Sequence, residues 1–342
     1  MIALARHCDP ERIAWTGVAL TDWAQSDSRL CREMQALMPI FAGPARGQGL
    51  HDLTYTTRLV SAENGIARVM KDADIVLAWG IICPAQPLTG RPRIVLVSHG
   101  SCPWPNAKFP DTSAVEVVAV SEAAKQPFPE SIRSRIEVIP NGIEVERCQS
   151  SVDRNEVRAA WGFGPHHKLV GYVGRFSREK NPLAVANAVK FLGGDFRAVY
   201  IGAGRHEAQL MAAAVEIAGP SARLVGPVDQ IGNALGALDV MILASPHEGF
   251  SLALAEAWFV GVPTVASRVG AVPELEQRHG RLVVPVRTHA TARELGEAVL
   301  LALSRENGEV VRRAQAITRS YYTSEAMAGR WSDYLCRLCP RP

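Results

Sequence analysis

From Arg12 onward, short β-branched runs alternate with longer helical patterns, and this alternation restricts the fold more than any single motif. RIAWTGVAL (12–20), DIVLAWG (74–80), RIVLVSHG (93–100), VEVVAVS (115–121) and IEVIPNG (136–142) read as strands. LVGYVG (169–174), FRAVYIG (196–202), RLVGPV (223–228), DVMILAS (239–245) and PTVAS (263–267) continue the series. Amphipathic stretches such as PLAVANAVKFL (182–192) and HEAQLMAAAVEIAG (206–219) lie between them. Near-continuous apolar strands separated by helices predict parallel sheets covered on both faces, a doubly wound α/β design. At 342 residues the chain exceeds what one core serves, so two Rossmann-like domains are expected, facing each other across a cleft.

The division is expected after Pro140-Asn141-Gly142, where a polar, strand-poor stretch begins. That gives an N-terminal domain at 1–145 and a second at 146–324, with a C-terminal helix at about 325–342 packing back on the first. Ligands of such sheets bind at the carboxyl ends of the strands, so chemistry should follow strands directly.

Hydrophobic residues at 47% and charged residues at 21% supply an ordinary globular core. A formal charge of +3 does not argue for a nucleic-acid surface. No apolar run has the length of a membrane span, and charged Arg6, Asp9, Glu11 and Arg12 interrupt any signal-peptide pattern. Seven scattered cysteines fit reduced thiols in a cytosol; Cys336 and Cys339 have redox- or zinc-like spacing but no second pair. Among the histidines, His166-His167 reads as linker, and none cluster with metal spacing.

Two stretches carry candidate chemistry. In VGYVGRFSREKNP the strand ends at Gly174, Arg175 and Lys180 follow, and Asn181-Pro182 is expected to cap and open a helix. Two cations beside a helix N-terminus suit an anion, Arg as a planar fork and Lys as a point charge. A solvated basic turn is the alternative. In SPHEGFSLALAEAWF, Gly249 permits close backbone approach, Ser251 is expected to cap the next helix, and the amides of Phe250, Ser251 and Leu252 would face a ligand. Glu248 precedes the cap and Glu256 lies within the helix; a carboxylate accepts two hydrogen bonds side by side, as vicinal sugar hydroxyls require. The residues alone leave open a loop role for Glu248 and a surface role for Glu256.

Together, GRFSREKNP (174–182) and EGFSLALAE (248–256) resemble the family-4 retaining glycosyltransferases of GT-B fold, the second matching a Glu-x7-Glu signature. VAVSEAAK (118–125), VIPNGIE (138–144), VPTVAS and VGAVPEL (269–275) follow the family's order from about residue 90. The resemblance implies transfer of a hexosyl or N-acetylhexosaminyl group from a nucleotide-sugar to an acceptor hydroxyl in glycan synthesis, with the anomeric configuration retained. It makes Arg175 and Lys180 the diphosphate ligands. Glu248 and the 249–252 backbone hold the donor sugar, Glu256 holds the ribose, and Gly226 and Val228 lie near the base. His99 falls near the reacting centre, with a core or strand-capping histidine as the alternative. No cofactor or metal is expected, because two cations and amide dipoles supply the positive field. The acceptor is expected to be a carbohydrate or lipid-linked glycan, at a cytoplasmic location that includes the inner membrane face.

Other readings attach to particular features. Asp72-Ala-Asp74 has the Asp-x-Asp form used for metals in a different glycosyltransferase fold, and GAGRHE (202–207) resembles a dinucleotide fingerprint without its third glycine. The opening MIALARHCDPERIAWTGVAL reads as the tail of a first helix followed by a second strand, so the family's first strand and glycine-rich acceptor loop are not recognised. That departure favours, as the alternative, a catalytically silent GT-B subunit that binds a nucleotide-sugar or a partner. A nicotinamide oxidoreductase and a disaccharide phosphorylase are further rivals.

Overall fold

The structure is a computed structural model that describes residues 7–8, 13, 18–20, 40–42, 74–79, 93–100, 115–204 and 206–339. The chain forms two compact units, Met1–Pro140 with Ser324–Pro342, and Asn141–Thr323.

In the first unit, β1 (Val18–Leu20) pairs in parallel with β2 (Ile40–Ala42). β3 (Ile75–Trp79), β4 (Arg93–Ser98), β5 (Val115–Ala119) and β6 (Glu137–Val138) form a parallel sheet in sequential order. Ile94, Val95, Leu96 and Val97 of β4 are all buried, as a strand covered on both faces requires. Among the described residues of the expected 12–20 strand, Val18–Leu20 is strand and Ile13 is not. The helix Ser324–Leu338 belongs to this unit. It buries Met327, Trp331, Tyr334 and Leu335, its Ala328 carbonyl accepts from Cys8 Sγ at 3.9 Å, and Arg337 donates to both Glu137 oxygens at 2.7 Å.

The second unit holds a six-stranded parallel sheet ordered β12-β11-β10-β7-β8-β9. Its strands are β7 (Lys168–Val173), β8 (Phe196–Ile201), β9 (Ala222–Gly226), β10 (Val240–Leu243), β11 (Thr264–Ser267) and β12 (Val284–Val286). Its helices are α1 (Arg154–Ala160), α2 (Ala184–Leu192), α3 (Glu207–Ala218), α4 (Ile231–Ala237), α5 (Leu252–Val260), α6 (Val272–His279), α7 (Ala292–Leu303) and α8 (Gly308–Tyr321); Ser324–Leu338 is α9. The first strand, β7, is central. The chain winds outward to β9, returns past β7 to β10, and winds the other way to β12. Strand order therefore reverses between β7 and β10, and the crevice at such a switch point takes ligands.

The core of this unit joins Val170, Tyr172, Tyr200, Val240, Ile242 and Val265 of the sheet to Val185 and Val189 of α2 and Leu295 and Val299 of α7. β12 is absent from the sequence reading because Pro285 interrupts its pattern. It occupies the sheet edge, pairing only with β11, where a residue without an N–H is tolerated. At the amino end of the sheet, Asp239 accepts from Leu169 N, Arg154 and Arg158, each at 2.7 Å. Arg158 is itself 4% exposed. This charged knot fixes β7 against β10 at the end opposite the switch-point loops. Among the described residues, no helix is long and apolar enough to cross a membrane.

Candidate functional site

At the carboxyl end of β7 the chain turns under its own aromatic residue: the buried Tyr172 donates its hydroxyl to the Arg175 carbonyl at 2.8 Å. A 3-10 turn, Arg178–Lys180, leads to Asn181, which adopts φ +47°. Asn181 is not the expected helix cap. α2 begins at Ala184 behind Leu183, without a side-chain cap. Instead Asn181 Nδ2 donates to the Ala244 carbonyl at 3.2 Å, and Ser245 Oγ donates to the Lys180 carbonyl at 3.3 Å. An amide side chain that tolerates the left-handed region can bend the loop and tie it to the end of β10.

After β10 the chain reaches Glu248, the buried Gly249 and Phe250, then Ser251 at φ +54°. Ser251 caps α5 as expected, its side chain accepting from Leu254 N at 3.5 Å. Among the described residues, Asn181 and Ser251 are the non-glycine residues with positive φ. Both lie at the switch point, and such strained positions cluster where a protein holds a ligand. Across the same point Lys180 Nζ meets Glu248 Oε1 at 2.8 Å, with side chains 22% and 9% exposed. The spacing thus brings together a cation from the first loop, an acid from the second and the start of α5. Early amides of α5 have no helical acceptor and present partial positive charge.

α5 is gripped at both ends. Phe250 packs against Tyr322 with ring centroids 5.5 Å apart. At the other end, Gln315 and Arg319 of α8 donate to the Phe259 carbonyl at 3.1 and 3.3 Å. The loop after β11 adds a third support. Gly270, at φ +60°, lies so close to the Glu248 and Gly249 carbonyls that a Cβ would collide with both.

The remaining sequence candidates fall out as follows. Arg175 does not join Glu248: its guanidinium is 70% exposed and pairs with Glu179 at 3.7 Å. Such an exposed pair is worth little and can be exchanged for an anion. Leu252 is the first residue of α5 and is exposed. Glu256, in the middle of α5, has its carboxyl pushed up to about 7 by burial; Arg147 draws it down and Glu144 pushes it further up. Gly226 closes β9 and its carbonyl accepts from Gly202 N at 2.9 Å, with Val228 half-buried just beyond. His99 follows β4 in the first unit, where burial pushes its imidazole down to about 4. It is therefore neutral at pH 7 and able both to donate and to accept. GAGRHE serves a different purpose from the fingerprint it resembles. Gly202, at φ +134°, lies against the Gly174 carbonyl, and Ala203 O accepts from Phe176 N at 2.9 Å, so this segment buttresses the 174–176 turn.

Asp72 lies outside the described residues, and Asp74 is exposed beside β3. Among the described residues, no group of three or more His, Cys, Asp or Glu side chains could hold a metal ion. Sequence reasoning overlooked Arg147 and Tyr322. Arg147 sits in a polar stretch that reads as linker, and Tyr322 reads as one more aromatic after a helix. VGAVPEL contained Gly270 but gave no hint that it abuts Glu248.

Residues 167–304, within the second unit, match the family model of Glycosyl transferases group 1. A lipopolysaccharide core biosynthesis mannosyltransferase of Rhizobium meliloti (strain 1021) is 35% identical over 148 residues, 40% of this chain and 42% of the relative. A D-inositol 3-phosphate glycosyltransferase of Xylanimonas cellulosilytica is 26% identical over 322 residues, 87% of this chain and 75% of the relative. The Anabaena protein Alr3699/HepE, solved in complex with UDP and glucose, superposes with a TM-score of 0.76 at 18% identity, over 98% of this chain and 94% of that one. The aligned stretch spans less than half the length of several of the curated relatives. The fold class is thus two parallel-sheet, Rossmann-like units, as in GT-B glycosyltransferases.

Proposed function

We propose that this chain is a retaining glycosyltransferase that moves a sugar from a nucleoside-diphosphate donor to an acceptor hydroxyl in glycan biosynthesis. The observation that carries the reading is the Lys180–Glu248 pair at the β7/β10 switch point, beside the start of α5. Lys180 and Arg175 would take the pyrophosphate, together with the early amides of α5. Glu248 and the 249–252 backbone would hold the sugar hydroxyls, Glu256 the ribose, and the Gly226–Val228 segment the base. His99 is the first unit's candidate for hydrogen bonding to substrate hydroxyls.

In the reaction so proposed, the bond from the anomeric carbon to the phosphate oxygen breaks and a bond to the acceptor oxygen forms on the same face. The departing diphosphate takes the acceptor proton. The protein's part is electrostatic: cations and dipoles already aimed at charge that develops on the leaving oxygen, with two substrates held in register. No metal is invoked. The setting envisaged is cytoplasmic, with peripheral membrane contact where the acceptor is lipid-linked.

The test is a panel of UDP-, GDP-, ADP- and dTDP-sugars, first by thermal shift and then by release of free nucleoside diphosphate with a glycan acceptor. Lys180→Ala and Arg175→Ala should each lower turnover by about two to three orders of magnitude. Wild-type turnover in both variants would remove the assignment. Donor binding without release would identify the silent subunit instead, and proton NMR of the product's anomeric centre decides retention.

A further inference from the structure

Tyr322 lies outside the motifs that support the proposed function, yet it touches both the switch-point loop and the ends of the second unit. It closes the last turn of α8, its N–H donating to the Thr318 carbonyl at 3.0 Å, and it is 3% exposed. Its ring packs on the buried Phe250, with centroids 5.5 Å apart and planes at 49°. Its hydroxyl lies 3.5 Å from Nε2 of His279, the last residue of α6. Its carbonyl accepts from Ile143 N at 2.9 Å, and the next residue, Thr323, pairs with Ile143 in a parallel bridge. The chain enters this unit at Asn141 and leaves it after Thr323. The ring that supports Phe250 and the carbonyl that joins the two passages therefore belong to one residue.

Phe250 is the side chain that seats the 248–251 loop. It stands between Gly249, whose carbonyl abuts Gly270, and Ser251 at φ +54°. A serine in the left-handed region persists only where its surroundings over-determine it. The cap supplies little of that restraint, because Ser251 Oγ accepts from Leu254 N at a long 3.5 Å. The larger share comes from the ring pair, which gains apolar burial and a favourable aromatic geometry. α8 also holds the far end of α5, through Gln315 and Arg319 on the Phe259 carbonyl. With that end fixed, loosening the ring pair falls on the loop and not on the helix as a whole.

We propose that Tyr322 is a positioning residue for the sugar donor: it seats Phe250 so that the strained 249–251 backbone keeps the first amides of α5 aimed, and it carries the state of that loop to the Ile143–Thr323 bridge. This rests on the nucleotide-sugar reading above. A diphosphate engaging those amides steadies Phe250. What packs on a steadied residue opens less often, so the Ile143 hydrogen bond should report occupancy of the loop.

The experiment uses the full chain as wild type, Tyr322→Leu, Tyr322→Phe, Phe250→Leu and the double variant of the two leucine changes. The first measurement needs no ligand: amide hydrogen exchange by NMR at Ala255, which bonds to the Ser251 carbonyl, and at Ile143. Both amides should exchange about tenfold faster in Tyr322→Leu, while amides of β7 and β10 keep their wild-type rates. Tyr322→Phe, which retains the ring, should restore the slow exchange. Phe250→Leu removes the same contact from the other side and should speed exchange at Ile143. UDP should slow the Ile143 amide in wild type and in Tyr322→Phe, but not in Tyr322→Leu. Turnover should fall about a hundredfold in Tyr322→Leu while UDP affinity stays within about threefold, because misplacement costs rate before it costs binding. Adding Phe250→Leu should cost little more, since the two rings act as one unit.

Unchanged exchange at both amides, acceleration of equal size throughout the unit, or additive losses in the double variant overturns the proposal. Should Tyr322→Leu not fold, an unmoved Ile143 amide in Phe250→Leu overturns it instead. Absence of UDP binding in the wild type would sink the donor reading, while the ligand-free exchange still decides whether Tyr322 joins the loop to Ile143.

Discussion

At the scale of single residues, Glu256 works against the fold it sits in. Its folded carboxyl titrates at about 7, whereas an unfolded glutamate titrates at about 4.3. A raised acid binds its proton more tightly when folded, so its stabilising contribution is complete below about pH 4 and is lost as pH rises toward 7. Glu256→Gln should therefore raise the melting temperature at pH 8 and leave it nearly unchanged at pH 4.5, read by calorimetry at both. A gain of equal size at both pH values would mean that burial does not govern this carboxyl. That Lys180, Glu248 and Ser251 lie in the loops after strands was legible in the sequence, because each follows a continuous apolar run. The role of Asn181 was not. Capping preference pointed to a helix start, but the deciding fact was its tolerance of positive φ and a carbonyl at Ala244 that no local pattern announces.

Among elements, the switch point depends on β7 and β10 staying in register. Far from the loops, Asp239 ties the two strands together through Leu169 N, Arg154 and Arg158. Removing one partner of a largely buried ion pair strands the other, at about 3–5 kcal/mol. Asp239→Ala should lower unfolding stability in urea by roughly 3 kcal/mol at an unchanged m-value, whereas a change within a few tenths would show Arg158 satisfied by the Ala237 and His167 carbonyls alone. Most strands could be read because burial on both faces makes them continuous apolar runs. β12 escaped because edge strands escape that rule, and β2 because three residues carry too little pattern.

For the molecule as a whole, the second unit is one continuous segment, Asn141–Thr323, and the first is not. At its margins Ile143 N donates to the Tyr322 carbonyl at 2.9 Å, so the segment's own ends are joined. Residues 141–323 expressed alone should unfold in one cooperative transition and be stabilised by UDP through mass action. A broad, non-cooperative melt would show that the segment needs the rest of the chain. Two α/β bodies were legible from the order of strands, because alternation of that kind has few packed solutions.

The placement of α9 has a consequence for biosynthesis. The ribosome emits the strands of the first unit early, but the helix that buries Trp331 and Tyr334 against that unit emerges only after the whole second unit has been made. The half translated first is thus the half finished last, and until then its uncovered apolar surface is what chaperones would meet on the nascent chain.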